Sequence, residues 1–93
     1  MYLIKHFVDG KLISGDSKRT GKVYNPATGE QSAKVIQATK NDIDNAVSVA
    51  KKSFLSWSEK PPLQRARIIF KYKEIIEKNS DELIKLIVSE HGK

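Results

Sequence analysis

Pro61-Pro62-Leu63-Gln64-Arg65-Ala66-Arg67-Ile68-Ile69-Phe70-Lys71-Tyr72-Lys73-Glu74-Ile75-Ile76-Glu77-Lys78 is the stretch that decides what kind of body this chain belongs to. The two prolines suit a helix start, where the first N–H groups have no partner inside the helix. Leu63, Ala66, Ile69, Phe70, Lys73 and Ile76 trace one helical face, and Ile68, Tyr72 and Ile75 broaden it. The helix is therefore apolar over more than half its girth. Arg67, Lys71, Glu74 and Lys78 line the opposite side. Glu74 and Lys78 stand at the i,i+4 spacing that supports a helix by roughly a few tenths of a kcal/mol. Helices with apolar arcs this wide pack on two sides, for example between a sheet and other helices.

The flanking segments read as helices too. Thr39, with Asp42 three residues on, is a variant of the capping box and predicts a helix start. Ile43, Ala46, Val47, Ala50, Phe54 and Trp57 then form one apolar stripe, with Trp57 expected as a core anchor. Ser58-Glu59-Lys60 reads as the link to the next helix. Ser80 is the expected cap of a third helix, and Asp81 and Glu82 fall in its first turn, where the macrodipole favours negative charge. Leu83, Ile84, Leu86, Ile87 and Val88 crowd that helix with apolar groups. Gly92 is its natural stop. Glu90 reads as solvated, and His91 in the last turn suits the dipole.

Residues 1–38 read as strands and turns, and 39–93 as the three helices. His6-Phe7-Val8 and Lys11-Leu12-Ile13 flank Asp9-Gly10, a two-residue hairpin signal because both turn positions need positive φ. His6 is expected to be a surface or partly packed residue. Ser14 to Gly21 is polar and reads as a loop. Val23-Tyr24 is a short extended piece. In Asn25-Pro26-Ala27-Thr28-Gly29-Glu30, Pro26 presets a turn and Gly29 can end it with positive φ. Residues 32–38 alternate as a strand, with Ala33, Val35 and Gln37 on one face. Together these predict an α/β chain, α+β when taken alone, with a hairpin and short strands followed by three amphipathic helices.

Composition removes several classes of function. The chain has 93 residues and no cysteine, so disulfides, zinc–thiolate sites and a cysteine nucleophile are excluded. Its net charge of +6 invites a nucleic-acid reading. The form of that charge argues against it. The basic residues are mostly lysines spread along the chain, and only Arg19, Arg65 and Arg67 could make bidentate phosphate or guanine contacts. The five glycines fit neither a GxGxxG nor a P-loop pattern. No apolar run approaches the roughly 20 residues that span a membrane. Met1-Tyr2-Leu3-Ile4-Lys5-His6 lacks the features of a signal peptide, so a cytoplasmic location is expected.

One ordered set of motifs points further. Phe7-Val8-Asp9-Gly10-Lys11 precedes the Asn25–Glu30 turn. Ala46-Val47-Ser48-Val49-Ala50-Lys51-Lys52-Ser53-Phe54 with Trp57 comes next. The Leu63…Arg67…Phe70-Lys71-Tyr72 helix and Glu90-His91-Gly92-Lys93 follow. This order resembles the start of the NAD(P)-dependent aldehyde dehydrogenase superfamily. His6–Gly10, Phe54–Trp57 and Pro61–Arg67 most resemble its CoA-acylating methylmalonate-semialdehyde branch.

The resemblance implies a fold of which this chain is the opening fifth, on the periphery of a Rossmann-like NAD domain. It implies a full-length enzyme that uses NAD and CoA to turn an aldehyde into an acyl-CoA. The catalytic residues and cofactor-binding residues would lie beyond residue 93, so this chain alone is expected to be inactive and to hold no cofactor. Some members bind a monovalent cation, for which the matching positions are Val23, Tyr24 and Glu90. The partners to expect are the remainder of the dehydrogenase and further copies meeting through apolar helix faces. The alternatives at this stage are a small self-associating interaction module and a weak nucleic-acid binder.

Overall fold

The computed structural model describes residues 2–92; Met1 and Lys93, the last residue of the Glu90–Lys93 motif, lie outside them. Five short strands come first: β1 (Tyr2–Ile4), β2 (His6–Val8), β3 (Lys11–Ile13), β4 (Thr20–Tyr24) and β5 (Gln31–Ile36). Three helices follow: α1 (Lys40–Glu59), α2 (Pro62–Lys78) and α3 (Ser80–His91). β5 is the centre of a three-stranded sheet, with β1 parallel on one side and β4 antiparallel on the other. β2 and β3 form a separate hairpin in the register His6↔Ile13, Phe7↔Leu12 and Val8↔Lys11. Its turn has φ of 55° at Asp9 and 72° at Gly10, as a two-residue hairpin turn requires.

Several local expectations need correction. Thr20 and Gly21, read as the end of a loop, open β4 because Ile36 and Val35 of β5 face them in register. β5 itself runs over Gln31–Ile36 and not 32–38, although the Gln37 N–H still donates to the Arg19 carbonyl at 3.0 Å. β1 carries no turn signal of its own. It exists because β5, some thirty positions away, supplies its partner. Ser58 and Glu59 complete the last turn of α1, and only Lys60 and Pro61 link it to α2. Asn79, not Ser80, occupies the cap position of α3, and its side chain turns back to donate to the Ile75 carbonyl at 2.8 Å. Glu74 meets Lys71 at 3.5 Å, one turn before it, and not Lys78; Lys73 pairs with Glu77 at the same distance.

The capping box at Thr39 forms in full. The Asp42 N–H donates to the Thr39 hydroxyl at 3.1 Å, and the Thr39 N–H donates to the Asp42 carboxylate at 2.9 Å. Gly92 closes α3 in the left-handed conformation, as expected.

Very little of this chain is inside anything. Among the described residues only Ala33 and Ile36, both on β5, are buried hydrophobics. No residue of α1, α2 or α3 is buried. The solvent-accessible surface is 7869 Å², against about 5,400 Å² for a compact monomer of this mass. The Cα radius of gyration is 16.9 Å, where about 12 Å is usual for this length. The overall shape is a slab of 48 × 34 × 16 Å. The wide apolar arcs predicted for α2 and α3 are real, and among the described residues nothing buries them.

Candidate functional site

Three features could carry function: a polar junction at the start of α1, the end of α3 beside the Asn25–Glu30 turn, and the bare helix faces. The junction is built around the Asp42 carboxylate. One oxygen accepts the Thr39 N–H, and the other accepts the Asp16 N–H at 3.0 Å. His6 Nε2 lies 3.9 Å from the first of these oxygens. These bonds bring β2, the loop after β3 and the first turn of α1 to one point. Gly15 makes the approach possible, since a Cβ there would sit 2.6 Å from Asp42 Oδ1. The Thr39 N–H, and after it the Asp16 N–H, hold the Asp42 carboxyl below the usual carboxylate range. The Thr39 side chain and the nearby His6 act in the same direction, and partial burial opposes them.

His6 is partly packed, as expected, with its side chain 19% exposed. The sequence signals Asp42 through the capping box. The convergence of His6, Gly15 and Asp16 on it leaves no local signature. Asp44 pairs with Lys40 at 2.9 Å on the exposed side of α1. Among the described residues no three His, Asp or Glu side chains gather as a metal site.

Val23 and Tyr24 lie on β4, and Glu90 on α3. Val23 and Tyr24 end β4, where the pairing slips from Val23↔Ala33 to Tyr24↔Gln31. Ser32 is the extra residue, and its hydroxyl donates to the Val23 carbonyl at 3.3 Å. Such a bulge re-aims the local backbone. The turn that follows is tightly bonded, with the Asn25 carbonyl accepting from the Gly29 N–H at 2.7 Å and Asn25 Oδ1 accepting from the Ala27 N–H at 2.9 Å. Gly92 rests on this turn, so close that an added Cβ would lie 3.1 Å from Pro26 Cγ. The end of α3 and the Asn-Pro turn are therefore neighbours. Glu90, in the last turn of α3, is solvated and makes no ion pair with any described residue.

The helices present the largest feature. Phe54 and Leu55 of α1, Leu63, Phe70 and Tyr72 of α2, and Ile87 of α3 are each at least 60% exposed. Trp57, expected in a core, is half-buried and lines an open concavity of about 530 Å³ with Ala50, Ser53, Phe54, Ser56 and Lys60. Monomeric proteins rarely leave contiguous apolar patches of this kind open.

The sequence profile of the aldehyde dehydrogenase family matches residues 12–93. The chain belongs to the aldehyde dehydrogenase family. Among curated relatives, the malonate-semialdehyde dehydrogenase of Halalkalibacterium halodurans is 43% identical over 90 residues, which cover 97% of this chain and 19% of that enzyme. Malonate-semialdehyde dehydrogenase 2 of Bacillus cereus is 44% identical over 91 residues, with coverage of 98% and 19%.

Solved structures agree with this assignment. The methylmalonate-semialdehyde dehydrogenase of Oceanimonas doudoroffii matches with a TM-score of 0.93 and 38% identity, over 98% of this chain and 18% of that one. A putative methylmalonate-semialdehyde dehydrogenase from Sinorhizobium meliloti, solved in complex with NAD, matches with a TM-score of 0.95 and 37% identity over the same shares. The aldehyde dehydrogenase chain described here thus spans about a fifth of the length of these relatives. Its strands and helices reproduce the opening part of their fold.

Proposed function

We propose that this chain is the opening segment of an NAD-dependent, CoA-acylating semialdehyde dehydrogenase, acting on malonate or methylmalonate semialdehyde in the cytoplasm. In this reading residues 1–93 form the outer part of the NAD domain. They supply no group to the chemistry. The absence of cysteine leaves no thiol to attack an aldehyde. The residues also do not fit NAD. The glycines do not form a phosphate cradle, and the space at Gly15 is filled by the Asp42 carboxylate. What the segment contributes is a surface on which the rest of the enzyme assembles.

The observation that carries this reading is that three helices of 20, 17 and 12 residues contain no buried residue while presenting wide apolar faces. Apolar surface on that scale is stable only when covered. The test is complementation. The H. halodurans relative is expressed without its matching first fifth, with and without this chain. NADH formation is then followed with each semialdehyde and CoA. Activity is expected only when both pieces are present, and this chain alone should show none. Dehydrogenase activity of the chain alone, or micromolar NAD affinity by calorimetry, would contradict the proposal.

Two further roles belong to the same reading. Val23 and Tyr24 offer main-chain oxygens, and Glu90 a carboxylate, to a monovalent cation between the Asn-Pro turn and the end of α3. The bulge at Val23 and the contact of Gly92 with Pro26 support this assignment. An anomalous peak among the three residues in thallium- or rubidium-soaked crystals is the expected result, and an empty map refutes it. Where the rest of the enzyme is missing, the bare helix faces should meet in further copies of this chain.

A further inference from the structure

We propose that His6 and Asp42 form a proton-operated latch that fastens the β2–β3 hairpin to the first turn of α1. The hairpin is separately paired and shares no strand with the main sheet. Its inner side faces α1 across a cleft of about 240 Å³ lined by His6, Phe7 and Val8 of β2, Ile13 of β3, and Asp42, Ile43 and Ala46 of α1. Apolar packing across this gap is incomplete, so a polar contact at its rim has leverage over whether the hairpin stays down.

His6 stands at that rim. Its Nε2 is buried and has no hydrogen-bond partner, while the Asp42 carboxylate lies 3.9 Å away. A buried polar atom without a partner is destabilising. Adding a proton to the ring turns that atom into a charged donor facing an anion. Asp42 is fixed in place by the Thr39 and Asp16 N–H groups and keeps its charge throughout the range in which histidine side chains change theirs. The attraction therefore acts on the hairpin and not on the carboxylate.

The other charged groups nearby are occupied or distant. Arg19 donates through Nη2 to the Ala38 carbonyl at 3.1 Å, and Lys40 is held by Asp44. Asp16 takes part through its backbone N–H. Lys5 precedes His6 and is exposed. Lys11 sits opposite Val8 at the far end of the hairpin.

The latch tightens as pH falls from 8 towards 5 and loosens as it rises. Amide hydrogen exchange of the full chain tests this, read by mass spectrometry on peptides covering residues 5–14 and corrected for intrinsic rates. Protection of the hairpin should rise roughly two- to fivefold between pH 8 and pH 5, the effect of a partly exposed ion pair. Peptides from the middle of α1 should not change with it. H6Q should abolish the dependence, and D42N should abolish it independently. A flat hairpin profile in the unaltered chain, or the same pH dependence in H6Q, overturns the latch.

Discussion

Replacing Gly15 by alanine isolates the close approach that builds the Asp42 junction. Gly15 has φ of +68°, and an added Cβ would lie 2.6 Å from Asp42 Oδ1 and 2.8 Å from Cγ and Oδ2. Gly10 has nearly the same backbone, φ +72°, but a Cβ there meets nothing within 4 Å. The two positions share the cost of left-handed backbone for an L-residue, about 1–2 kcal/mol. Only Gly15 adds a collision. To reach ordinary contact the carboxylate must retreat by about 0.8 Å. It cannot retreat freely, because its oxygens hold the Asp16 and Thr39 N–H groups. Losing a helix cap costs about 1 kcal/mol.

Gly15→Ala should therefore destabilise the junction by about 2–3 kcal/mol, against about 1–2 kcal/mol for Gly10→Ala. The assay is amide exchange resolved by NMR at Asp16 and Thr39, whose N–H groups donate to the Asp42 carboxylate. The extra cost should appear as about fivefold faster exchange at both amides in Gly15→Ala. In an Asp42→Ala background the extra cost should vanish, since the methyl group then has nothing to strike. Equal effects of the two glycine substitutions, or an extra cost that persists without Asp42, would show that the close approach does not hold the junction together.

Three other outcomes follow from the same contacts. Thr39→Ala removes the acceptor for the Asp42 N–H and should lower α1 stability by about 1 kcal/mol, seen as reduced helicity by circular dichroism, while Thr39→Ser retains it. Asp42 binds its proton less readily when folded. Its contribution is therefore complete above the ordinary carboxylate value, and acid should erode it below about pH 4, with Asp42→Asn removing that part of the acid profile. The isolated chain should sediment above its 10.5 kDa monomer mass, and Phe70→Lys with Ile87→Lys should shift it towards monomer; a monodisperse monomer of the unaltered chain at high concentration would refute self-association.

Local chemistry made most of the elements legible. The Asp9-Gly10 turn, the Thr39–Asp42 box, the double proline before α2 and the glycine after α3 each act within a few residues, and each forms as expected. The misread boundaries depend on partners far along the chain. Thr20 and Gly21 became strand because β5 offered a register, and Tyr2–Ile4 became strand for the same reason. Asn79 holds the cap position of α3 in place of Ser80, without a side-chain cap bond, because α2 and α3 nearly abut and leave one residue between them. Of the candidate cation residues, Val23 and Tyr24 are neighbours in the sequence, whereas nothing in it places Glu90 near them; the end of α3 reaches the Asn-Pro turn at Gly92 and Pro26. The most informative sequence feature was an excess. Apolar arcs this wide call for cover on two sides, and no residue of α2 or α3 is buried in the chain as described.

The chain divides according to the kind of force that fixes each part. Residues 2–42 are tied by turns and by directional bonds. The two-residue hairpin turn, the bonded Asn25–Glu30 loop and the Asp42 junction all draw their partners from within the segment. Beyond the first turn of α1 the balance changes. Ordering each helical residue costs about 1–2 kcal/mol of backbone entropy, and isolated helices of 12–20 residues are marginal in water. The usual compensation is apolar burial, and no residue of the three helices is buried. Their surface ion pairs, Lys71–Glu74 and Lys73–Glu77, are exposed and contribute little. The stability of α2 and α3 must then come from whatever covers them. The surface in excess of a compact monomer is about 2,400 Å², about three times what one partner contributes to a stable interface of ordinary size. A transient partner does not match that area, whereas the interior of a larger enzyme does. In the enzyme proposed above, the segment up to the Asp42 junction is held by its own bonds, and the two later helices take their burial from the rest of the dehydrogenase.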